Sequence, residues 1–241
     1  MTSNKKKARI AGLLYLVVVV TGIFTLGYVP SKLIIWNDPA ITYANIVASQ
    51  TLFRVSIVSG FVCYTVFLFL PLALYDLLES VNRRYARLMV ILVMVSIPIA
   101  FANVQCLMAV RSLINDGNYL TVFTKEQGQT QAMMYLNQYD NGVLAGGIFW
   151  GLWLFPFGLL VVQSGILPRF LGVLLMLGCL GYLINFLGHS LWPDYAKLGI
   201  GSYVSLPASV GEIGTCLWLL IMGAKEYPNP PYKIPSSAKL R

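Results

Sequence analysis

An all-α bundle of about six membrane-spanning helices, with two short amphipathic outer helices, is the fold this sequence predicts. Three observations lead there. Hydrophobic residues make up 57% of the 241 positions and charged ones 11%, at a mean hydropathy of +0.71; a soluble domain carries about 25% charged residues. The apolar residues fall into runs at Ile10–Val29, Leu52–Leu78, Leu88–Leu113, Val143–Val162, Phe170–Leu187 and Tyr203–Met222. Each is near the roughly 20 residues a helix needs to cross a bilayer. Finally, the basic residues gather in alternate connections between those runs, as the positive-inside bias requires.

The chain divides into a basic N-terminus (1–9), a membrane helical domain (10–224) and a tail (225–241). Lys5, Lys6, Lys7 and Arg9 precede the first run, which exceeds the roughly 7–15 residues of a signal core and lacks an A-x-A-like cleavage site, so it reads as a retained helix. With the N-terminus in the cytoplasm, Arg83, Arg84, Arg87, Arg169 and Lys225 share its side, and Asp38, Glu126, Asp140 and Asp194 lie opposite. Both termini are therefore expected inside a bacterial cytoplasmic (inner) membrane. The net charge of +8 reports this orientation and contact with anionic lipid headgroups, not a nucleic-acid partner. The tail, with Pro228, Pro230, Pro231 and Pro235, is expected to be largely disordered.

Between the first two runs, Asp38 is a natural N-cap and Pro39 suits the first helical position. Ile41, Ala44, Val47 and Ala48 share a face, which predicts the first outer helix. Before the fourth run, Thr124 and Gln127 have capping-box spacing, and Ala132, Met133, Leu136 and Tyr139 recur at helical intervals. They predict a second helix, lying on the outer membrane surface or capping the bundle.

The fourth run is a glycine ladder. Gly142 and Gly146, like Gly147 and Gly151, have GxxxG spacing, and Gly158 follows. Small residues let helix backbones approach closely in lipid. The ladder is expected to pack within the chain, a homodimer seam through the fourth span being the alternative. Trp36, Trp192, Tyr28, Tyr195 and Tyr203 mark an outer aromatic belt. Cys63, Cys106, Cys179 and Cys216 fall inside the runs without a C-x-x-C pair and read as small apolar fillers.

The polar groups inside the runs gather in the outer half, and the inner halves are nearly without them. Glu212 lies roughly nine residues into the sixth run, about 13 Å deep at 1.5 Å per residue. Ser205, Ser209, Glu212 and Cys216 share one stripe of that helix, and Tyr182, Asn185 and His189 share one on the fifth. With Asn103 on the third, they are expected to line an outer-facing pocket for a small amphipathic or lipid-like ligand. A carboxylate at that depth costs roughly 2.5–3.5 kcal/mol unless paired, wet or protonated. Arg54 is the expected partner and Arg111 the second choice. Glu212 is then either a structural tie or a functional group.

No catalytic motif, metal-ligand set or cofactor fingerprint is present in the sequence, and a single histidine, His189, provides neither bis-histidine haem nor a zinc site. The leading expectation is a non-enzymatic sensor or accessory protein. A small proton-coupled transporter using Glu212 is the second, and a membrane-embedded enzyme with Glu212 or His189 as general acid or base the third.

Five stretches, "RIAGLLYLVVVVTGIF", "DPAITYANIVASQTLFRV", "LYDLLESVNRRYARLMV", "SGILPRFLGVLLMLGCLGYLINF" and "GEIGTCLWLLIMG", give the chain a family likeness. From Arg9 to Gly223 it resembles the bacterial membrane family termed domain of unknown function 4386. The specific marks are Asp38…Thr42…Asn45-Ile46 running into Leu52-Phe53-Arg54, the Leu167-Pro168-Arg169…Leu171-Gly172 turn, and Gly211-Glu212…Leu217-Trp218-Leu219. The segment "LWLFPFGLLVVQSG" departs from that family's Leu/Gly/Tyr-rich form. The resemblance implies a multi-pass bacterial protein and no particular activity, and it singles out Arg54 together with Glu212.

Overall fold

A computed structural model describes residues 3–115 and 124–225. The Pro-rich tail beyond Lys225 lies outside the described residues. Helix α1 (Ser3–Gly22) continues through a π-helical turn (Ile23–Tyr28) into α2 (Val29–Leu33). Then come α3 (Pro39–Ala48), α4 (Gln50–Leu78), α5 (Arg83–Ile114), α6 (Lys125–Ser164), α7 (Arg169–Leu191) and α8 (Gly201–Ile221), with a 3₁₀ turn at Tyr195–Leu198 before the last. Six of the resulting helical segments are long and apolar enough to cross a membrane, making this an all-α polytopic bundle.

The six spans form a ring in chain order. α1 packs on α4, α4 on α5, α5 on α6, α6 on α7 and α7 on α8, and α8 closes the ring against α1. Exposed apolar side chains such as Leu13, Val20, Val58, Ile91, Leu180 and Ile221 cover its perimeter. At one end, Lys7 Nζ donates to the Asp76 carbonyl (3.1 Å) and Lys225 N to the Ile166 carbonyl (3.2 Å), so the chain's first and last described segments lie beside the α4–α5 and α6–α7 connections. We call this the Lys5 end and the opposite one the Asp38 end.

Local sequence explains most boundaries. Asp38 Oδ1 accepts from Ile41 N (2.9 Å) to start α3, and Asn82 Oδ1 accepts from Arg84 N and Tyr85 N (3.1 and 3.3 Å) to start α5. Gly165, at φ 65°, ends α6 in a left-handed conformation that glycine adopts without steric cost.

The second outer helix does not exist as a separate element. The Thr124–Gln127 capping box forms, but the helix it opens runs unbroken for 40 residues to Ser164. Ala132, Met133, Leu136 and Tyr139 are buried against neighbouring helices, and Asn103 Nδ2 of α5 donates to the Tyr139 carbonyl (2.9 Å). That packing holds the Asn-Gly junction at 141–142 helical where local propensity would turn the chain.

The glycines of α6 face neighbours within the chain. A Cβ on Gly142 would strike the Asn103 side chain, one on Gly151 would sit 2.6 Å from Tyr182 Cβ, and one on Gly158 2.5 Å from the Gly172 carbonyl. Gly147 faces Tyr182 more loosely at 3.5 Å, and Gly146 meets its own helix's Trp150. On the opposite side of the ring, Gly12 lets α1 approach α8, where a Cβ would lie 2.6 Å from Leu220 N. The α1–α4 seam is a polar ladder: Cys63 Sγ donates to the Val18 carbonyl (3.5 Å), Ser59 Oγ to that of Thr21 (3.3 Å) and Thr25 Oγ1 to that of Ser56 (3.3 Å).

Candidate functional site: a cleft inside the helical ring

Two cavities open inside the ring. The central one, about 570 Å³, is walled by α1, the π-helical turn, α4, α6, α7 and α8. The other, about 630 Å³, lies toward the Asp38 end between α6, α7 and α8 and the 3₁₀ turn. Both are lined by Trp150, Tyr182, Ser205 and Ser209, so they meet there as one cleft. Each is of the size that holds a small ligand, about 300–1,000 Å³.

The end cavity holds a hydrogen-bonded cluster of side chains. Asn185 donates from Nδ2 to the Gly201 carbonyl (3.1 Å) and to Ser205 Oγ (2.7 Å), and its Oδ1 accepts from Tyr195 Oη (2.8 Å). His189 Nδ1 lies 2.9 Å from the Asn185 carbonyl, and its ring meets the Tyr195 ring edge-on at 4.8 Å. Tyr195, expected in an aromatic belt, is instead 4% exposed, because its ring packs over Gly188 and its hydroxyl is held by Asn185.

The central cavity is aromatic. Tyr64 stacks on Trp150 (6.0 Å), Phe67 meets Trp153 edge-on (5.4 Å), and Tyr15 lies tilted against Trp153 (6.2 Å). Trp153 in turn stacks on Phe157 at 5.3 Å, closing the cavity's floor toward the Lys5 end. Into this setting α8 presents Glu212, partly buried and in no ion pair among the described residues. Tyr15 Oη, on a side chain 1% exposed, is buried without a hydrogen-bond partner among them. Toward the perimeter the cavity is rimmed by exposed Ile23 and Leu26 of the π-helical turn and Ile213 of α8. The π turn adds a residue to the helical circuit at the cleft's edge, a device often found at functional sites.

Of the residues singled out from sequence, Glu212, Tyr182, Asn185, His189 and Ser209 line the cleft. Arg54 does not: it is exposed at the Asp38 end, where its guanidinium donates to Gln50 Oε1 (3.1 Å) and Asn115 Oδ1 (2.9 Å). The expected Glu212–Arg54 pair is therefore absent. Residue spacing along α4 does not reveal that its principal neighbours are α1 and α5. Arg111 lies beside Arg54, away from Glu212. Asn103 also stays outside the cleft, spent on the α5–α6 seam. Glu212 lines the central cavity and His189 the end cavity, on either side of the shared Trp150, Tyr182, Ser205 and Ser209. Among the described residues no group of three or more His, Cys, Asp or Glu side chains is placed to hold a metal ion.

Sequence reasoning missed the aromatic wall. Tyr64 and Phe67 are three apart on α4, as are Trp150 and Trp153 on α6, and such pairs read as core. Only the order of helices around the ring brings them opposite the Ser205–Ser209–Glu212 stripe.

The profile of the family described as domain of unknown function (DUF4386) matches residues 10–223. An uncharacterized protein of the archaeon Archaeoglobus fulgidus is 34% identical over 80 residues, which cover 33% of this chain and 45% of that protein. The chain thus spans under half the length of that relative. No solved structure matches. The chain belongs to the DUF4386 family, since the match takes in nearly the whole membrane domain.

Proposed function

We propose that this DUF4386 protein binds a small amphipathic or lipid-like ligand in the cleft, as a non-enzymatic sensor or accessory protein of the membrane. One observation carries the reading: two cavities of about 570 and 630 Å³ meet within the ring, one hydrogen-bonding and one aromatic. A hydrogen-bonded cluster at one end and an aromatic wall at the other suit a molecule with a polar and an apolar part. By the positive-inside bias, Lys5, Lys6, Lys7, Arg83, Arg84, Arg87 and Arg169 put the Lys5 end in the cytoplasm of a bacterial inner membrane, so the Asn185 end of the cleft faces outward.

Native mass spectrometry of the protein released from membranes in a mild detergent tests this. A retained amphiphile in the parent, lost in Ser209→Trp, supports the reading, because Ser209 lines both cavities. An empty parent, or retention unchanged in the plugged variant, overturns it. Thermal unfolding of Ser209→Trp beside the parent separates a plugged cleft from a misfolded variant.

A second reading is favoured by Glu212 having no ion pair among the described residues. Intramembrane ionisable groups commonly serve proton or substrate pathways. Proton-coupled transport would appear as pH-dependent flux in liposomes, abolished by Glu212→Gln.

A further inference from the structure

The chemistry of the cleft also selects among amphiphiles. We propose that its ligand is a lipophilic organic cation, an amine or quaternary ammonium head seated beside Glu212, with its apolar body along the aromatic wall. The proposal rests on the ligand-binding reading and narrows it.

Two features of the central cavity, its carboxylate and its aromatic walls, converge on a cation. Glu212 is the sole carboxylate among the described residues lining the cleft, and neither cavity is lined by Lys or Arg. The nearest expected counter-ion, Arg54, is committed to Gln50 and Asn115. A carboxylate held among helices without a partner is costly in hydrocarbon, and a cationic ligand would offset that cost. It would equally repel a fatty acid or any other anion.

The walls favour the same charge. Tyr15, Tyr64, Phe67, Trp150, Trp153 and Tyr182 all line the cavity, which their rings surround from α1, α4, α6 and α7. Aromatic faces attract cations through the ring quadrupole, most strongly Trp, and cages of such rings recognise quaternary ammonium groups. Tyr15 Oη, buried without a partner, supplies a donor or acceptor for a primary or secondary ammonium head or for Glu212 itself. The rim supplies the third element of the ligand. Ile23, Leu26 and Ile213 are exposed on the apolar perimeter, so the cavity is reachable sideways from the bilayer core, and a molecule arriving that way must be lipophilic.

The test uses full-length protein in phosphatidylcholine nanodiscs, titrated calorimetrically with decyltrimethylammonium, decanol and decyl sulfate, with protein-free nanodiscs subtracted. The expected result is that the ammonium binds at least tenfold tighter than the alcohol, with no binding of the sulfate. Glu212→Gln should reduce the ammonium to the alcohol's level without altering decanol, and Trp150→Leu should weaken the ammonium severalfold. Ammonium and alcohol binding alike, both insensitive to Glu212→Gln but lost in Ser209→Trp, would overturn the cation proposal and leave the amphiphile site standing. Tighter binding of the sulfate would do the same. None of the three binding above the protein-free nanodisc would overturn both readings. Thermal unfolding of each variant in the same nanodiscs separates lost binding from lost fold.

Discussion

Replacing Glu212 with Gln keeps the side chain's shape and removes its charge, and the outcome turns on what the charge touches. Breaking a buried ion pair leaves a stranded partner and costs about 3–5 kcal/mol. No such partner exists for Glu212 among the described residues, so Glu212→Gln should leave the melting temperature unchanged or raise it. A fall of many degrees in the same detergent and lipid would instead reveal a structural tie. Asn185 is the opposite case. It serves the Gly201 carbonyl, Ser205 Oγ and Tyr195 Oη together, so Asn185→Leu strands part-buried polar atoms and should cost about 1–3 kcal/mol, read as a clear drop in melting temperature. Two residues of one cleft are thereby assigned different duties. The sequence disclosed that both are polar and inward, since each sits on a stripe at intervals of three and four. It did not disclose which had partners, because hydrogen bonds from Asn185 reach 16 and 20 residues along the chain.

At the level of elements, α6 is where local reading and structure part. The polar residues Asn137, Gln138, Asp140 and Asn141, with Gly142, separate the predicted outer helix from the apolar run that begins at Val143, yet the helix runs straight through them. Burial of Leu136 and Tyr139, with the Asn103 tie, decides the matter at a range that a sequence window does not cover. Spin labels on Thr130→Cys and Phe155→Cys, both exposed positions, should lie about 37 Å apart if α6 is continuous, from 1.5 Å per residue. A segment folded flat on the membrane would bring them markedly closer. The four native cysteines are buried and should stay unlabelled. The glycines divide as sharply. Gly158→Val pushes a branched side chain into the Gly172 carbonyl and Met176 and should cost about 1–3 kcal/mol. Gly128→Ala meets nothing within 4 Å and should stabilise α6 by roughly 0.5–1 kcal/mol, a contrast that thermal unfolding of the pair would display. The six spans themselves were legible because twenty apolar residues admit few other fates. The π-helical turn was not, since Gly22, Thr25 and Gly27 leave the hydrophobic period unbroken.

For the molecule as a whole, six antiparallel spans place the Lys5 end, with Arg83, Arg87 and Arg169, on one side of the membrane, and Lys32 and Lys197 on the other. Under the proposed orientation, with the Lys5 end inside, a membrane-impermeant maleimide applied to intact cells should label Lys32→Cys and Lys197→Cys at once. It should reach Lys6→Cys and Arg87→Cys only after permeabilisation. The reverse pattern would invert the orientation, and labelling of all four in intact cells would dismantle the six-span topology. Which helices adjoin was the part the sequence withheld. Charge and hydropathy fix how often the chain crosses, whereas the order of neighbours around the ring depends on close approaches such as Gly12 on Leu220 and Gly158 on Gly172.

The seam between α1 and α8 joins residues made far apart in time. Cys216 Sγ donates to the Gly12 carbonyl at 3.7 Å across 204 positions. At about 5–20 residues per second, roughly 10–40 s separate their synthesis. Through that interval α1 stands in the bilayer with its inward face uncovered on one flank, and the Tyr15 side of the central cavity is open to lipid. α8 is the element that brings Glu212 to the cleft and closes the ring against α1. A ribosome stalled before residue 201 leaves α8 unmade, and with it the cleft wall that carries Ser205, Ser209 and Glu212.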